Sequence, residues 1–229
     1  MLHGSATGRL LRSAAVITLY WSPGTAAMAP QACLEEAGAE YEMVQVRREG
    51  YTVVEPEGYL ALQPEGRIPA LRDGDLVLHE SAAICMYIAD RFPESGLLPP
   101  VGTRERAHAY RWLTYLTNTL QATYQMWYQT DRFIFDPDVQ AGVKRDLEPR
   151  LDEIFDWIDS QIDGHPYLLG DTFSAADLYC FMLTRWGRNL PRKAWTLPSL
   201  GAHYRRLAER PSVAVMLEKQ GIEAVPRPA

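Results

Sequence analysis

The sequence predicts two domains: an α/β domain with the element order βαβ-α-ββα, followed by an all-α helical domain. Residues 15–92 alternate short runs of β-branched and aromatic residues with stretches of helical periodicity, a pattern typical of an α/β domain. Residues 104–229 contain apolar positions at helical spacing and no convincing strand. Residues 93–103 hold three prolines and two glycines and predict a linker. Residues 1–14 are interpreted as a flexible extension.

The first half of the α/β domain is predicted to be a strand, a helix and a strand. Residues 16–20 are β-branched and aromatic, and residues 41–47 carry a second strand pattern. The helix between them opens at Pro30 and stops at Gly38, because proline favours the first helical turn and glycine the position after the last. This order predicts a parallel strand pair joined by a right-handed crossover.

The second half of this domain is predicted to contain a hairpin and two helices. A polar segment with Pro56 leads to a short helix near residues 59–62. Strands at residues 70–72 and 76–78 flank an Asp-Gly-Asp turn, which is a strong hairpin signal. Residues 81–92 then have apolar side chains at helical spacing and predict a longer helix.

The helical domain is predicted from caps and periodicity. Thr103 can cap a long helix that runs to about Phe133, and a second helix spans roughly residues 137–162. Ser174 and Asp177 have the spacing of a capping box, in which each side chain bonds the other residue's amide. Capping explains both residues better than a catalytic Ser/Asp pair does. Further helices are predicted near Pro198 and Pro211.

Composition excludes some classes of protein and favours others. The net charge of −6 and the pI of about 5.4 argue against a nucleic-acid partner, which usually meets a basic face. Cys33, Cys85 and Cys180 show neither a CxxC pair nor zinc-ligand spacing. We expect buried, reduced thiols, which fits a cytoplasmic protein.

The N-terminal apolar run raises the question of a targeting segment. A signal peptide is the alternative interpretation of the N-terminus, because Arg9 and Arg12 precede an apolar run. That run is short, contains Tyr20 and Trp21, and supplies the first strand, so the strand is the better interpretation. Nothing in the chain approaches the 18 or so apolar residues that span a membrane, and no membrane partner is expected.

Two neighbouring segments can hold an extended peptide. If the bond before Pro69 is cis, the backbone of Ile68 can face solvent and pair with a bound peptide like an added strand. The alternative is a trans proline that begins an edge strand. Glu80 and Ser81 stand where a helix begins, and they could bind the ammonium and carboxylate of an α-amino acid end. The alternative for Ser81 is that it only caps its helix.

Three motifs in this order resemble those of the cytosolic glutathione transferases. Residues 67–71 (RIPAL) and 80–84 (ESAAI) match that family's glutathione-site motif, and residues 173–178 (FSAADL) match its helical-domain cap. The resemblance covers about residues 15–220, and residues 20–24 (YWSPG) look most like the bacterial beta class. It implies a thioredoxin-like first domain, a cis Pro69, a homodimer and glutathione as co-substrate.

The resemblance also implies roles for individual residues. Glu80 and Ser81 would hold the γ-glutamyl end of glutathione, and the Ile68 backbone beside Pro69 would pair with its cysteinyl unit. Arg67 could add a charged bond to the glycyl carboxylate, with a solvated surface arginine as the alternative.

One departure from the beta class concerns the chemistry. Its members carry a cysteine where this chain has Ala26, so mixed-disulfide chemistry would lack its nucleophile. A conjugating enzyme needs only to stabilise glutathione's own thiolate. The candidate donors are Ser22, Thr25 and Tyr20, with Ser22 slightly favoured, and backbone amides near Thr25 could also serve. Gln121 replaces a histidine that beta-class members carry.

A second substrate is expected between the domains. Tyr124 and Tyr128 share a helix face and, with Trp186, could line an apolar pocket, although helically spaced aromatics more often belong to a core. The histidines show no metal-ligand spacing, and no metal is expected. The leading hypothesis is a glutathione transferase that attacks an electrophilic, largely apolar molecule. Alternatives are thiol reduction, dehalogenation, isomerisation, or a non-catalytic binding module.

Overall fold

A computed structural model describes residues 16–225 of the 229-residue chain. The predicted extension over residues 1–14 lies outside the described residues. The described chain forms an α/β domain with a mixed sheet followed by a helical domain, which confirms the predicted fold class. Within residues 16–225 no helix is long and apolar enough to cross a bilayer, and no group of three or more metal-ligand side chains gathers.

The sheet of the α/β domain has the strand order β2-β1-β5-β6. β1 and β2 are parallel, with Ile17 opposite Tyr41, and β5 runs antiparallel to both β1 and β6. Leu19 on β1 and Leu71 on β5 are fully buried in the core. The elements are β1 (Ile17–Trp21), α1 (Met28–Glu36), β2 (Tyr41–Gln45), β3 (Arg47–Glu49), β4 (Thr52–Glu55), α2 (Tyr59–Leu62), β5 (Ala70–Asp73), β6 (Leu76–His79) and α3 (Ser81–Arg91).

The hairpin of β3 and β4 was not predicted. The second strand was expected to run to residue 47, but β2 ends at Gln45 and the chain leaves the sheet there. Val46 is buried, and its amide still donates to the Trp21 carbonyl of β1 at 2.6 Å. The next residue, Arg47, pairs with Glu55 of β4 and so begins a separate ladder. Gly50 turns this hairpin with a φ of +60°, which a side chain would strain. The predicted extension of the second strand was therefore wrong.

Helix α1 begins earlier than predicted. It starts at Met28, so Pro30 lies at its third position. The first amides of a helix have no partner within it, and a proline there loses no hydrogen bond. Gly38 follows the helix with a φ of +60°, as its predicted role of stop requires.

The helical domain begins most of its helices where the sequence predicts. Thr103 caps α4 by accepting a hydrogen bond from the Arg106 amide at 3.1 Å. The predicted linker is anchored to this domain, since the Leu97 carbonyl accepts from the Ala175 amide at 2.7 Å. The helices are α4 (Arg104–Tyr115), α5 (Ala122–Tyr128), α6 (Pro137–Ile162), α7 (Ala175–Trp186), α8 (Pro198–Ala208) and α9 (Pro211–Gln220).

The long helix predicted from Thr103 to Phe133 is interrupted. A π-helical turn, Leu116–Gln121, separates α4 from α5, and α5 ends at Tyr128. The Thr117 and Thr123 hydroxyls donate to carbonyls four residues earlier, a contact that loosens helical hydrogen bonding. The prediction was wrong about regular α-helical continuity and about the last turn, because residues 116–133 contain no glycine or proline that would mark either change.

The capping box at the start of α7 is confirmed and reaches further than predicted. The Asp177 carboxylate accepts the Ser174 amide and the Leu168 amide, each at 2.8 Å. It also lies 2.9 Å from Nε2 of His203, with both side chains fully buried. Asp177 therefore ties three segments of the helical domain together. The three cysteines are free and buried, as predicted.

Candidate functional site

A cleft of about 420 Å³ lies between the two domains. Residues 23–26, Arg67 and Ile68 line it from the α/β domain, while Tyr124, Tyr128 and Trp186 line it from the helical domain. The structure thus brings the predicted aromatic residues to the same cavity as the proline-containing segment. A ligand in this cleft would touch both domains.

The turn that forms one wall of the cleft is held by the helical domain. Gly24 has a φ of +67°, and its amide donates to Oε1 of Gln220 on α9 at 2.9 Å. Its carbonyl accepts from Nε1 of Trp186 on α7 at 3.0 Å. Gln220 also donates to Gln31 on α1 at 2.8 Å. Sequence reasoning missed Gln220, because no local motif marks a residue that acts on a turn 196 positions away.

The three candidate donors to a bound sulfur are not equivalent. Thr25 lines the cleft, and its hydroxyl donates to the Ser22 carbonyl at 2.7 Å. The Ser22 hydroxyl donates to the Val46 carbonyl, and Ser22 is not a lining residue. Tyr20 belongs to the inner strand β1 and is buried, with its ring 5.5 Å from that of Tyr59. Of the three, only Thr25 reaches the cleft.

The proline-containing segment lies on the same side of the cleft. The bond between Ile68 and Pro69 is cis. No hydrogen bond among residues 16–225 uses the Ile68 amide or carbonyl, which leaves both available to a ligand's backbone. The backbone of the preceding residue, Arg67, is held by two hydrogen bonds. The Arg67 carbonyl accepts from the Tyr59 hydroxyl at 2.6 Å, and the Arg67 amide donates to Gln63 at 3.0 Å.

Glu80 and Ser81 lie at the start of α3, outside the residues that line the cleft. Glu80 is exposed with a φ of +71°, and Ser81 is buried. Ser81 lies close to Tyr179, whose hydroxyl donates to the cleft residue Gln121. Burial raises the pKa of Tyr179, and hydrogen bonding to Ser81 acts in the opposite direction. Tyr179 therefore lies between Ser81 and the cleft.

The aromatic residues form one wall. The Tyr124 ring lies 5.8 Å from that of Tyr128 and 6.1 Å from that of Trp186, and the Tyr128 hydroxyl donates to the Trp186 carbonyl. Burial raises the pKa of both phenols, so they stay neutral donors. Tyr124 belongs both to the hydrophobic core and to the wall of the cleft, because it is fully buried yet lines the cleft.

Four arginines also line the cleft: Arg48, Arg67, Arg132 and Arg188. Sequence reasoning had considered only Arg67. Burial, and then the charge of Arg132, lowers the pKa of Arg48, so these two cations lie near each other. No sequence pattern predicts that Arg48, Arg132 and Arg188 line one cleft, since they come from three separated segments that only the fold brings together.

Two family models match most of the chain. The glutathione S-transferase N-terminal domain matches residues 15–90, and the glutathione S-transferase C-terminal domain matches residues 123–211. The first contains the turn and the proline segment, and the second contains most of the aromatic wall. The two models therefore meet at the cleft.

Individual relatives agree along their whole length. Glutathione S-transferase GstA of Escherichia coli O157:H7 is 28% identical over 206 residues, covering 90% of this chain and 99% of the relative. The solved ternary complex of BphK, a bacterial transferase, is 31% identical with a TM-score of 0.80, covering 90% and 100% of the two chains. This chain belongs to the family of glutathione S-transferase enzymes. A transferase from a sphingomonad, solved in complex with glutathione, is 29% identical to it, has a TM-score of 0.79 and covers 90% of it and 100% of that chain.

Proposed function

We propose that this glutathione S-transferase conjugates the thiolate of glutathione to an electrophilic small molecule with an aromatic or apolar body. One observation carries the proposal. A single cleft places the segment at Thr25, Arg67 and Ile68 opposite the wall of Tyr124 and Trp186. The first can hold a thiol peptide and the second an aromatic partner. Complexes of similar transferases with glutathione support the choice of peptide.

Glutathione would bind in an extended conformation along the α/β domain. The amide and carbonyl of Ile68, beside the cis Pro69, would pair with the cysteinyl unit. Arg67 would meet the glycyl carboxylate, and Glu80 and Ser81 would hold the γ-glutamyl end at the start of α3.

Thr25 is the donor we propose for the sulfur. A free cysteine thiol has a pKa near 8.5, so a donor worth about 1.4 kcal/mol would lower it by one unit. Thr25 lines the cleft, and its hydroxyl would turn from the Ser22 carbonyl to the sulfur. The next two residues lead directly into α1. Ser22, slightly favoured from sequence, ranks behind it because Ser22 does not line the cleft, and Tyr20 ranks behind both because it is buried.

The reaction then needs no protein nucleophile. The thiol proton passes to solvent, the thiolate attacks the electrophilic carbon, and a carbon–sulfur bond forms. The leaving group departs with its bonding pair. Ala26 carries no thiol, which argues against a mixed-disulfide route to thiol reduction. We further propose that the enzyme is a homodimer, as the family resemblance implies, and that it acts in detoxification in the cytoplasm, where its thiols would stay reduced.

Binding of glutathione tests the proposal directly. The full-length protein should be retained on immobilised glutathione, and millimolar glutathione should raise its melting temperature. It should also accelerate conjugation of glutathione to an activated aryl halide. Failure of both retention and thermal stabilisation would refute the proposed function.

A further inference from the structure

The second-substrate end of the cleft carries an arginine without a partner. Arg188 lies two residues after the end of α7 and lines the cleft with Tyr124, Tyr128 and Trp186. Within residues 16–225 it forms no ion pair and no hydrogen bond, although it is half-buried. Its charge opposes the effect of burial on the pKa of both tyrosines, so it lies beside the aromatic wall. A partly desolvated cation there favours an anion.

Among residues 16–225, no aspartate or glutamate lines the cleft. Arg67 pairs with Glu65 at 2.6 Å, outside the lining. Arg48 and Arg132 lie together, with Arg132 stacked 4.6 Å over the ring of Tyr51. Glutathione brings one glycyl carboxylate and one thiolate into such a cleft. Arg67, or the pair of Arg48 and Arg132, can meet the carboxylate, which leaves Arg188 for another negative group.

A second unpaired donor lies beside Arg188. The Tyr124 hydroxyl is buried and has no hydrogen-bond partner among the described residues. It fits closely against Gly187, where a Cβ would lie only 2.9 Å from the phenol oxygen. Gly187 therefore lets Tyr124 sit under the segment that carries Arg188. A neutral O–H and a guanidinium side by side suit a carboxylate.

We infer that the electrophile conjugated by this enzyme carries a carboxylate on its aromatic or apolar body, held by Arg188 with Tyr124 beside it. The inference rests on the proposed function and adds the charge of the second substrate. In a model reaction the thiolate attacks the chlorine-bearing carbon of 4-chloro-3-nitrobenzoate. The carbon–sulfur bond forms, the carbon–chlorine bond breaks, and chloride leaves with the bonding pair.

A matched substrate pair measures the preference. The full-length enzyme is assayed with 4-chloro-3-nitrobenzoate and with its neutral counterpart 4-chloro-3-nitrobenzamide. Each kcat/KM is divided by the uncatalysed rate constant, because the two rings differ in intrinsic reactivity. We expect the normalised value to be at least about 10-fold higher for the carboxylate, as for one charged hydrogen-bonded pair, and to fall with added salt. Equal normalised values would overturn the inference.

Variants locate the anion site. Arg188→Gln should remove the preference while leaving KM for glutathione unchanged, and Arg188→Lys should restore part of it. Arg145→Gln removes the same charge from an exposed helical position and should retain the preference. A preference that survives Arg188→Gln, or that disappears instead in Arg132→Gln, would overturn the assignment to Arg188.

Binding of the two conjugates gives a readout independent of turnover. Calorimetry with the carboxylated and the carbamoylated S-aryl glutathione should show tighter binding of the carboxylated conjugate, by about 10-fold or more. If glutathione binds but the two conjugates bind equally, only the present inference fails. If glutathione itself does not bind, the proposed function fails and the inference falls with it.

Discussion

Nε1 of Trp186 donates a hydrogen bond to the carbonyl of Gly24 at 3.0 Å, across 162 residues of chain. Trp186 ends α7 in the helical domain, and Gly24 forms the turn before α1 in the α/β domain. The bond therefore links the aromatic wall to the turn that would hold the sulfur. A shift of one domain relative to the other would therefore change the geometry at both proposed substrate positions.

Trp186→Phe should weaken this link while keeping an aromatic ring in the wall. One lost hydrogen bond is worth about 1 kcal/mol, so we expect kcat/KM to fall about 5-fold. Trp195→Phe, outside the cleft and stacked on Tyr204, is the control and should leave kcat/KM within about 2-fold. Steady-state kinetics of both variants checks this. An unchanged kcat/KM in Trp186→Phe would show that the hydrogen bond does not matter to the site.

Thr25→Ala should raise the pKa of the bound glutathione thiol by about one unit, since one donor near the sulfur would be lost. Ultraviolet absorbance of the thiolate against pH measures it. Thr25→Ser keeps a hydroxyl and should keep the lower pKa. Ser22→Ala should shift it little, because Ser22 does not line the cleft. A shift in Ser22→Ala with none in Thr25→Ala would reverse the proposed roles.

Ser81→Ala and Glu80→Gln should raise KM for glutathione about 10-fold, with little change in kcat, because a grip on the γ-glutamyl end acts equally before and during reaction. Asp75→Asn, in the exposed turn between β5 and β6, is the matched control. Initial rates across a range of glutathione concentrations separate the two constants. If both variants keep the KM of the unmodified enzyme, the γ-glutamyl end binds elsewhere.

Asp177→Asn should destabilise the fold by about 3 kcal/mol or more. The carboxylate accepts two backbone amides and faces His203 in a fully buried position, and removing one partner of such a pair is costly. Urea denaturation measures the free energy of unfolding. Asp146→Asn, where Asp146 is exposed and paired with Arg145, should change it by less than about 0.5 kcal/mol. Equal losses in the two variants would contradict the structural role of Asp177.

The buried thiols should react slowly with disulfide reagents. Burial, and then the charge of Asp177, raises the pKa of Cys180 to about 12, and burial also raises the pKa of Cys33. At pH 8 a thiol of pKa 12 is about 10⁻⁴ ionised, against about a quarter for a free cysteine, and the thiolate is the reactive form. Titration should find three reactive thiols in urea and almost none in the native protein. Rapid native labelling would show that the helices open easily.

Most of the fold follows from local patterns. Periodicity and caps predict the starts of α4, α6 and α7, because a capping side chain and its helix lie within a few residues of each other. The β3–β4 hairpin escaped because its strands are three and four residues long, the first is entirely charged, and neither alternates apolar with polar residues. The π-helical turn escaped because residues 116–121 contain no glycine or proline that would mark a change in the helix.

In the candidate site too, local features could be predicted from sequence and long-range contacts could not. Ile68 and Pro69 could be predicted because their function depends on adjacent backbone. The hydrogen bond from the Ser22 hydroxyl to the Val46 carbonyl could not be predicted, since only the fold brings these two residues together. Arg188 carried no signal for the same reason. Only the packed domains show that aromatic residues line the cleft with it and that no aspartate or glutamate of residues 16–225 does.

The contacts of Gly24 have a consequence for the order in which the enzyme matures. The ribosome makes the chain from its N-terminus, so the turn at Gly24 emerges long before Trp186 and Gln220, which bond its carbonyl and amide. A nascent α/β domain would contain the turn at Gly24 and Thr25 without the hydrogen bonds from Trp186 and Gln220 that hold this turn in place. Competence to activate a thiol should therefore arise only after α9 has left the exit tunnel.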